Sequence, residues 1–138
     1  MTQTTFKNYS IDHIAMAVKD MTESIKFYSQ NFSFPVTHRE TIEARGLELA
    51  FIDVGNTRFE LLASIAPGSQ VEAFLAKHGE GLHHICYRVK DIRAEMTRLQ
   101  GLGFTLIDQA PRPGAHGSMI AFIHPKSCQG VLTELCQY

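Results

Sequence analysis

Long apolar runs are missing from this chain of 138 residues, and so is any strong excess of charge. No stretch approaches the roughly 20 apolar residues of a membrane-spanning helix. Residues Met1 to Ser10 lack the charged-then-apolar layout of a signal peptide, so the cytosol is the expected compartment. Lys and Arg number 13 against 14 Asp and Glu, a formal charge of −1 that gives no electrostatic footprint for nucleic acid. Cysteine is scarce and odd in number. Cys86, Cys128 and Cys136 show no Cys-x-x-Cys spacing, which argues against a disulfide framework and a thiolate zinc site and leaves them reduced and structural. Also absent are Gly-x-Gly-x-x-Gly, a Walker loop and Gly-x-Ser-x-Gly, so no nucleotide cradle or serine hydrolase elbow competes for the function.

What is present is a repeat. His13-Ile14-Ala15-Met16-Ala17-Val18-Lys19-Asp20 falls on His84-Ile85-Cys86-Tyr87-Arg88-Val89-Lys90-Asp91 at an offset of 71 (84 less 13), and His, Ile, Val, Lys and Asp coincide. The offset persists: Gly46 falls on Gly117, and Ala50-Phe51-Ile52 on Ala121-Phe122-Ile123. A short insertion around Pro125-Lys126-Ser127 then moves it to 74, where Glu60-Leu61 falls on Glu134-Leu135. Repeated units that cannot bury their own apolar faces pack on one another. Two copies suit a pseudo-twofold pair, in which a residue type present in both can converge on one site. Each copy here supplies one His and one Glu.

Length allows one compact domain, so residues 1–138 are expected to form a single domain of two modules, about 10–64 and about 82–138, joined by a linker of about 65–81. Alternation predicts a strand over Ile11 to Val18, with His13, Ala15 and Ala17 on one face. Asp20 reads as the N-cap of an amphipathic helix ending near Asn31. Strands follow over Val36 to Thr41, Leu47 to Val54 and Thr57 to Ala63, with Gly55-Asn56 as a hairpin signal. The linker holds a loop and a short helix within Pro67 to Gly81. The second module repeats the plan with a strand over Leu82 to Val89, a helix over Asp91 to Leu102, and strands over Thr105 to Asp108, Met119 to His124 and Val131 to Cys136. Pro111 to Gly117 reads as an irregular loop of the kind that borders sites. The fold class is therefore α+β, two paired β-α-β-β-β modules.

Alternation also sorts the histidines. His84 shares a face with Cys86 and Arg88, while His83 points the other way. Glu60 and Glu134 lie mid-strand, where a carboxylate is costly to bury unless it is paired or bound to metal. Taken singly, each Glu could face solvent and each His could be a satisfied core residue. Taken together and placed by the repeat, His13, Glu60, His84 and Glu134 point to a metal site between the modules. Two imidazoles and two carboxylates suit divalent Co, Ni, Mn, Fe or Zn, with open positions for water or a chelating substrate. Phe51, Phe122 and Met16 fit core packing. His38 and His78 are assigned no role, and His116 and His124 stay outside the metal set.

The chain resembles the vicinal oxygen chelate (glyoxalase/bleomycin resistance) superfamily and, within it, methylmalonyl-CoA epimerases. The resemblance is carried by Ile11-Asp12-His13-Ile14-Ala15, Val54 to Leu62, Gly79-Glu80-Gly81-Leu82-His83-His84-Ile85, Pro111 to Gly117, His124-Pro125-Lys126-Ser127 and Gly130 to Leu135. It implies a glyoxalase-like fold with a metal cleft and an isomerase that interconverts the S and R forms of methylmalonyl-CoA. The four repeated residues would be the metal ligands, with cobalt the expected ion and Ni, Mn or Zn as alternatives. Glu43 and Glu134 would be the two catalytic bases. Some family members carry Gln where this chain has Glu60, so the extra charge here bears on metal preference. The implied partner is a CoA thioester, with Lys126, Arg112 and Lys77 as candidate phosphate contacts, and exposed sheet edges predict a homodimer. A glyoxalase I type isomerase of a glutathione hemithioacetal, or a non-enzymatic binding protein of the same fold, are the alternatives.

Overall fold

The computed structural model describes residues 9–138, and the chain divides into two compact units. One is His13–His83; the other joins His84–Tyr138 to the described residues up to Asp12. Both boundaries fall immediately before a repeated histidine.

Strand β1 (Ser10–Ala17), helix α1 (Met21–Phe32) and strands β2 (Val36–Ile42), β3 (Leu47–Asp53) and β4 (Arg58–Ser64) come first, followed by helix α2 (Gln70–His78). Then come β5 (Gly81–Arg88), α3 (Ile92–Gly101), β6 (Arg112–Pro113), β7 (Met119–Ile123) and β8 (Thr133–Gln137). The class is α+β, as expected. In the first unit the strand order is β2-β3-β4-β1, and in the second β6-β7-β8-β5, the same arrangement built twice. In both, the module's first strand pairs in parallel with its last, Ala15 opposite Glu60 and Cys86 opposite Glu134. The remaining pairs are antiparallel. Among the described residues no helix is long and apolar enough to cross a membrane.

Local chemistry sets the helix ends. Asp20 and Asp91, repeat equivalents, cap α1 and α3 by accepting from the Glu23 and Ala94 backbone N–H groups, each worth about 1 kcal/mol. Ser69 does the same for α2 through Glu72, which belongs to the expected short helix after Pro67. The hairpin at Gly55-Asn56 closes as expected, with Asp53 Oδ1 accepting from Gly55 N at 2.7 Å. Gly46 and Gly117 explain their own repetition. Both have left-handed backbones, φ +63° and +74°, and each ends a 3-10 turn that leads into β3 or β7, a conformation glycine adopts without a Cβ penalty.

One expected strand is not regular. Thr105 to Asp108 contributes a single bridge, Leu106 with Ile123. The Asp108 carboxylate, not a backbone carbonyl, accepts the Phe122 N–H at 2.7 Å. Backbone bonds from Ile107 N to Phe122 O (2.8 Å) and from His124 N to Thr105 O (2.9 Å) flank the bridge, and the Asp108 side chain ends the ladder after them. The proline-rich loop instead supplies the two-residue β6, whose Pro113 has no N–H to extend pairing.

Strand alternation separates two faces in each unit. The helix-side face of the first unit buries Val18, Met21, Ala50, Ile52, Leu61 and Ala63, with Met16 and Phe59 packed against them. The second buries Val89, Ile92, Met96, Leu99, Leu106, Ala121, Ile123 and Leu135. Glu60 lies between Phe59 and Leu61, so it points away from that core, as does Glu134 beside Leu135. His83 points to the helix side, its ring 4.7 Å from Phe74 of α2.

Candidate functional site

On the face opposite the helices, each unit brings one imidazole to one carboxylate. In the first, β1 carries His13 and the neighbouring β4 carries Glu60, with Nε2 and Oε1 3.3 Å apart and both side chains buried (5% and 7% exposed). In the second, β5 carries His84 and β8 carries Glu134, 3.2 Å apart and 3% and 6% exposed. The parallel register makes this possible, because it places Glu60 opposite Ala15, two residues from His13, and Glu134 opposite Cys86, two residues from His84.

The donor chemistry fits a divalent cation. Two donors on one ion with bonds of about 2.1 Å stand about 3.0 Å apart at a right angle and about 3.4 Å apart at a tetrahedral angle. Separations of 3.2 and 3.3 Å lie in that interval. Imidazole nitrogen with carboxylate oxygen is a borderline-to-hard set, and four such donors leave positions for substrate.

The remaining candidates are distributed over strands, turns and helix α2. Glu43 opens the 3-10 turn Glu43–Arg45 ahead of Gly46 and is exposed. Its side chain makes no hydrogen bond to another described residue, so it is joined to neither His–Glu pair. Arg112 donates from Nε to Asp108 Oδ1 at 2.9 Å. His124 caps the 3-10 turn Pro125–Cys128 by accepting from Lys126 N, a local structural job. Lys77 lies in the last turn of α2. His38 sits 3.0 Å from Glu40, and the His78 ring lies tilted at 39° against Phe74, centroids 4.8 Å apart. His116 adopts φ 59° within its turn, and its ring lies 6.4 Å from that of Tyr138.

Around the second pair the surroundings are a small apolar cluster of Cys86, Ile120, Phe122 and Cys136. Burial, then a contact with Cys136, pushes the Cys86 thiol far up. It therefore stays protonated in neutral solution, and no disulfide joins it. Beyond it, Arg88 donates twice to the buried Asp12 carboxylate (3.0 and 2.8 Å) and lies over the Tyr138 ring, whose hydroxyl donates to Asp12 at 3.2 Å. The hydrogen bond to Asp12, reinforced by its charge, holds Arg88 above its ordinary value.

Two residues were missed by reasoning on the strands. Phe51 and Phe122 do not face the helix-side cores; each meets a candidate histidine ring, His13 at 5.5 Å and His84 at 5.2 Å. Their own offset of 71 was the signal available.

Residues 12–122 match the Glyoxalase/Bleomycin resistance protein/Dioxygenase superfamily. The chain is 36% identical over 129 residues to the ethylmalonyl-CoA/methylmalonyl-CoA epimerase of Cereibacter sphaeroides, covering 92% of this chain and 96% of that protein. The crystal structure of methylmalonyl-CoA epimerase from Mycobacterium tuberculosis superposes with a TM-score of 0.87 at 32% identity, covering 92% of this chain and 86% of that one. A variant of the Streptomyces coelicolor methylmalonyl-CoA epimerase, in complex with 2-nitronate-propionyl-CoA, gives a TM-score of 0.86 at 38% identity, covering 92% of both chains.

Proposed function

The chain belongs to the glyoxalase/bleomycin resistance protein/dioxygenase superfamily and, within it, to the methylmalonyl-CoA epimerases, and on that premise we propose that it interconverts (S)- and (R)-methylmalonyl-CoA. The observation that carries the reading is the buried His–Glu pair built twice with the same spacing, in a chain whose epimerase relatives span nearly its whole length. Those relatives favour the epimerase over a glyoxalase I type lyase or a binding protein of the same fold.

His13, Glu60, His84 and Glu134 together hold one divalent cation, cobalt by resemblance. Bound there, the ion supplies Lewis-acid stabilisation of the negative charge that develops next to the thioester carbonyl. Glu43 takes the proton from C2 on one face of the substrate, and the electron pair left behind delocalises into the thioester. Glu134 returns a proton to C2 from the other face, and the two carboxylates exchange roles in the reverse direction. One C–H bond breaks and one forms, so the carboxylates end each turnover with their protons interchanged and reset by exchange with solvent. The exposure of Glu43 suits that exchange. The buried pairs explain how Glu60 and Glu134 tolerate mid-strand positions, since an unpaired carboxylate there would be strongly destabilising. The reading also takes the protein as a cytosolic homodimer, with the seven-residue strand β2 as an edge able to pair with a second copy.

Incorporation of deuterium at C2 of methylmalonyl-CoA in D₂O, followed by NMR, tests the assignment. Cobalt-loaded protein is expected to exchange and racemise the substrate, and chelator-treated protein and His84→Ala are expected to lose both. Full activity in a metal-free His84→Ala variant would sink the metal-dependent reading. Metal binding without exchange would move the substrate elsewhere in the superfamily.

A further inference from the structure

We propose that Phe51 and Phe122 are positioning residues, each fixing the plane of one candidate ligand imidazole, His13 and His84, and so setting the donor geometry of the metal site. The inference rests on the metal reading above. It comes from an arrangement present once in each unit. In the first, the Phe51 and His13 rings meet at 70° with centroids 5.5 Å apart, and the Arg58 guanidinium carbon lies 4.0 Å from the centre of the Phe51 ring. In the second, Phe122 and His84 meet at 88° and 5.2 Å, and the Arg112 guanidinium carbon lies 5.7 Å from the centre of the Phe122 ring. Both phenylalanines are buried.

Perpendicular ring contacts are directional, because the positive edge of one ring meets the negative face of the other. Such a contact holds an angle that aliphatic packing leaves free. A cation over the same ring restrains the phenyl group in turn. Arg112 is itself held by Asp108 Oδ1, and Asp108 Oδ2 accepts the Phe122 backbone N–H, so a chain of contacts leads from the strand backbone through guanidinium and phenyl ring to imidazole.

The two phenylalanines are repeat equivalents and the two arginines are not. At the offset of 71, Arg112 falls on Thr41, and at 74, Arg58 falls on Leu132. The same His-Phe-Arg order is thus reached with the cation drawn from unrelated positions. Inherited packing would have kept the cation at equivalent positions; a requirement on the imidazole explains why the arrangement persists when they differ.

The test is cobalt(II) titration of the full-length metal-free protein, read by affinity and by the visible ligand-field bands. Phe51→Leu and Phe122→Leu are each expected to weaken cobalt binding about three- to tenfold and to shift the bands, while Phe51→Tyr and Phe122→Tyr, which keep the ring, restore both. Phe34→Leu, in the helix-side core, is expected to lower thermal stability and leave the bands in place. Should a leucine variant fail to fold, methionine at that position carries the same expectation. Leucine variants with wild-type affinity and wild-type bands overturn the positioning role and leave the metal reading intact. A wild-type protein that binds no cobalt overturns both.

Discussion

Ahead of β3, the first unit turns through Glu43–Arg45 and presents Glu43 to solvent; 71 positions later, ahead of β7, the chain has Gly114. A Cβ at Gly114 would lie 2.5 Å from Ile120 Cγ2, so the second unit has no room for a side chain where the first carries a candidate base. The units agree on strand order, on helix caps and on the His–Glu pair, and they differ here. Of the two bases in the proposed reaction, Glu134 comes from the repeated pair, whereas Glu43 has no counterpart in the second unit. On the proposed reading, the repeat keeps the residues that would grip the cation and varies one that would move a proton. The edge strands differ in the same direction: β2 has seven residues and β6 has two.

Removing the difference between the units has the largest expected effect. Glu43→Gln is expected to lower kcat about 10²- to 10⁴-fold with no change in the unfolding midpoint, because Glu43 is exposed and anchors nothing. Gly114→Ala should instead lose about 1–3 kcal/mol of stability through overpacking on Ile120. Retained activity in Glu43→Gln, measured by the deuterium assay, would show that the asymmetry is not catalytic.

The paired glycines give a smaller contrast. Gly46→Ala and Gly117→Ala both force alanine into a left-handed backbone, at about 1–2 kcal/mol each. A Cβ on Gly46 also comes within 3.2 Å of Ala66 Cβ, whereas Gly117 has open space. Urea unfolding should therefore rank Gly46→Ala as the more damaging; equal losses would mean that only the backbone conformation matters.

The smallest effect separates two tyrosines, one packed against each helix-side core. Tyr9 donates to Glu95 in the second unit, whereas the Tyr28 hydroxyl in the first donates to the Met16 sulfur, at 3.5 Å. Burial, reinforced by Glu95, pushes the Tyr9 phenol up to about 12. The protonated phenol is the native form, so its contribution is complete below the unfolded value of 10.0 and is lost as pH rises toward 12. Tyr9→Phe should cost about 1 kcal/mol at neutral pH and remove the step near 12 in an ultraviolet titration. Tyr28→Phe should cost little, and the reverse order would contradict the hydrogen-bond assignment.

Much of the site was legible because its signal is local. Period-two alternation puts His13 on the face away from Met16, and Glu60 away from Phe59 and Leu61. An offset of 71, moved to 74 by one short insertion, made their counterparts equivalent. The strand expected over Thr105 to Asp108 failed for a reason that no period records, the substitution of the Asp108 carboxylate for a backbone acceptor. Phe51 and Phe122 read as ordinary core residues because a phenylalanine on a strand carries no mark of which ring it will meet.

Two β-α-β-β-β modules, the strand face taken by His13 and Glu60, and the recurrence of one His and one Glu in each module follow from the sequence alone. The tertiary structure adds that His13 comes to 3.3 Å from Glu60 and His84 to 3.2 Å from Glu134, that Phe51 and Phe122 turn toward the histidines, and that Gly114 leaves no room for a base. Alternation and capping follow from backbone geometry over a few residues. Which side chains touch depends on strand register and on turns that join residues some 50 positions apart, where no local rule operates.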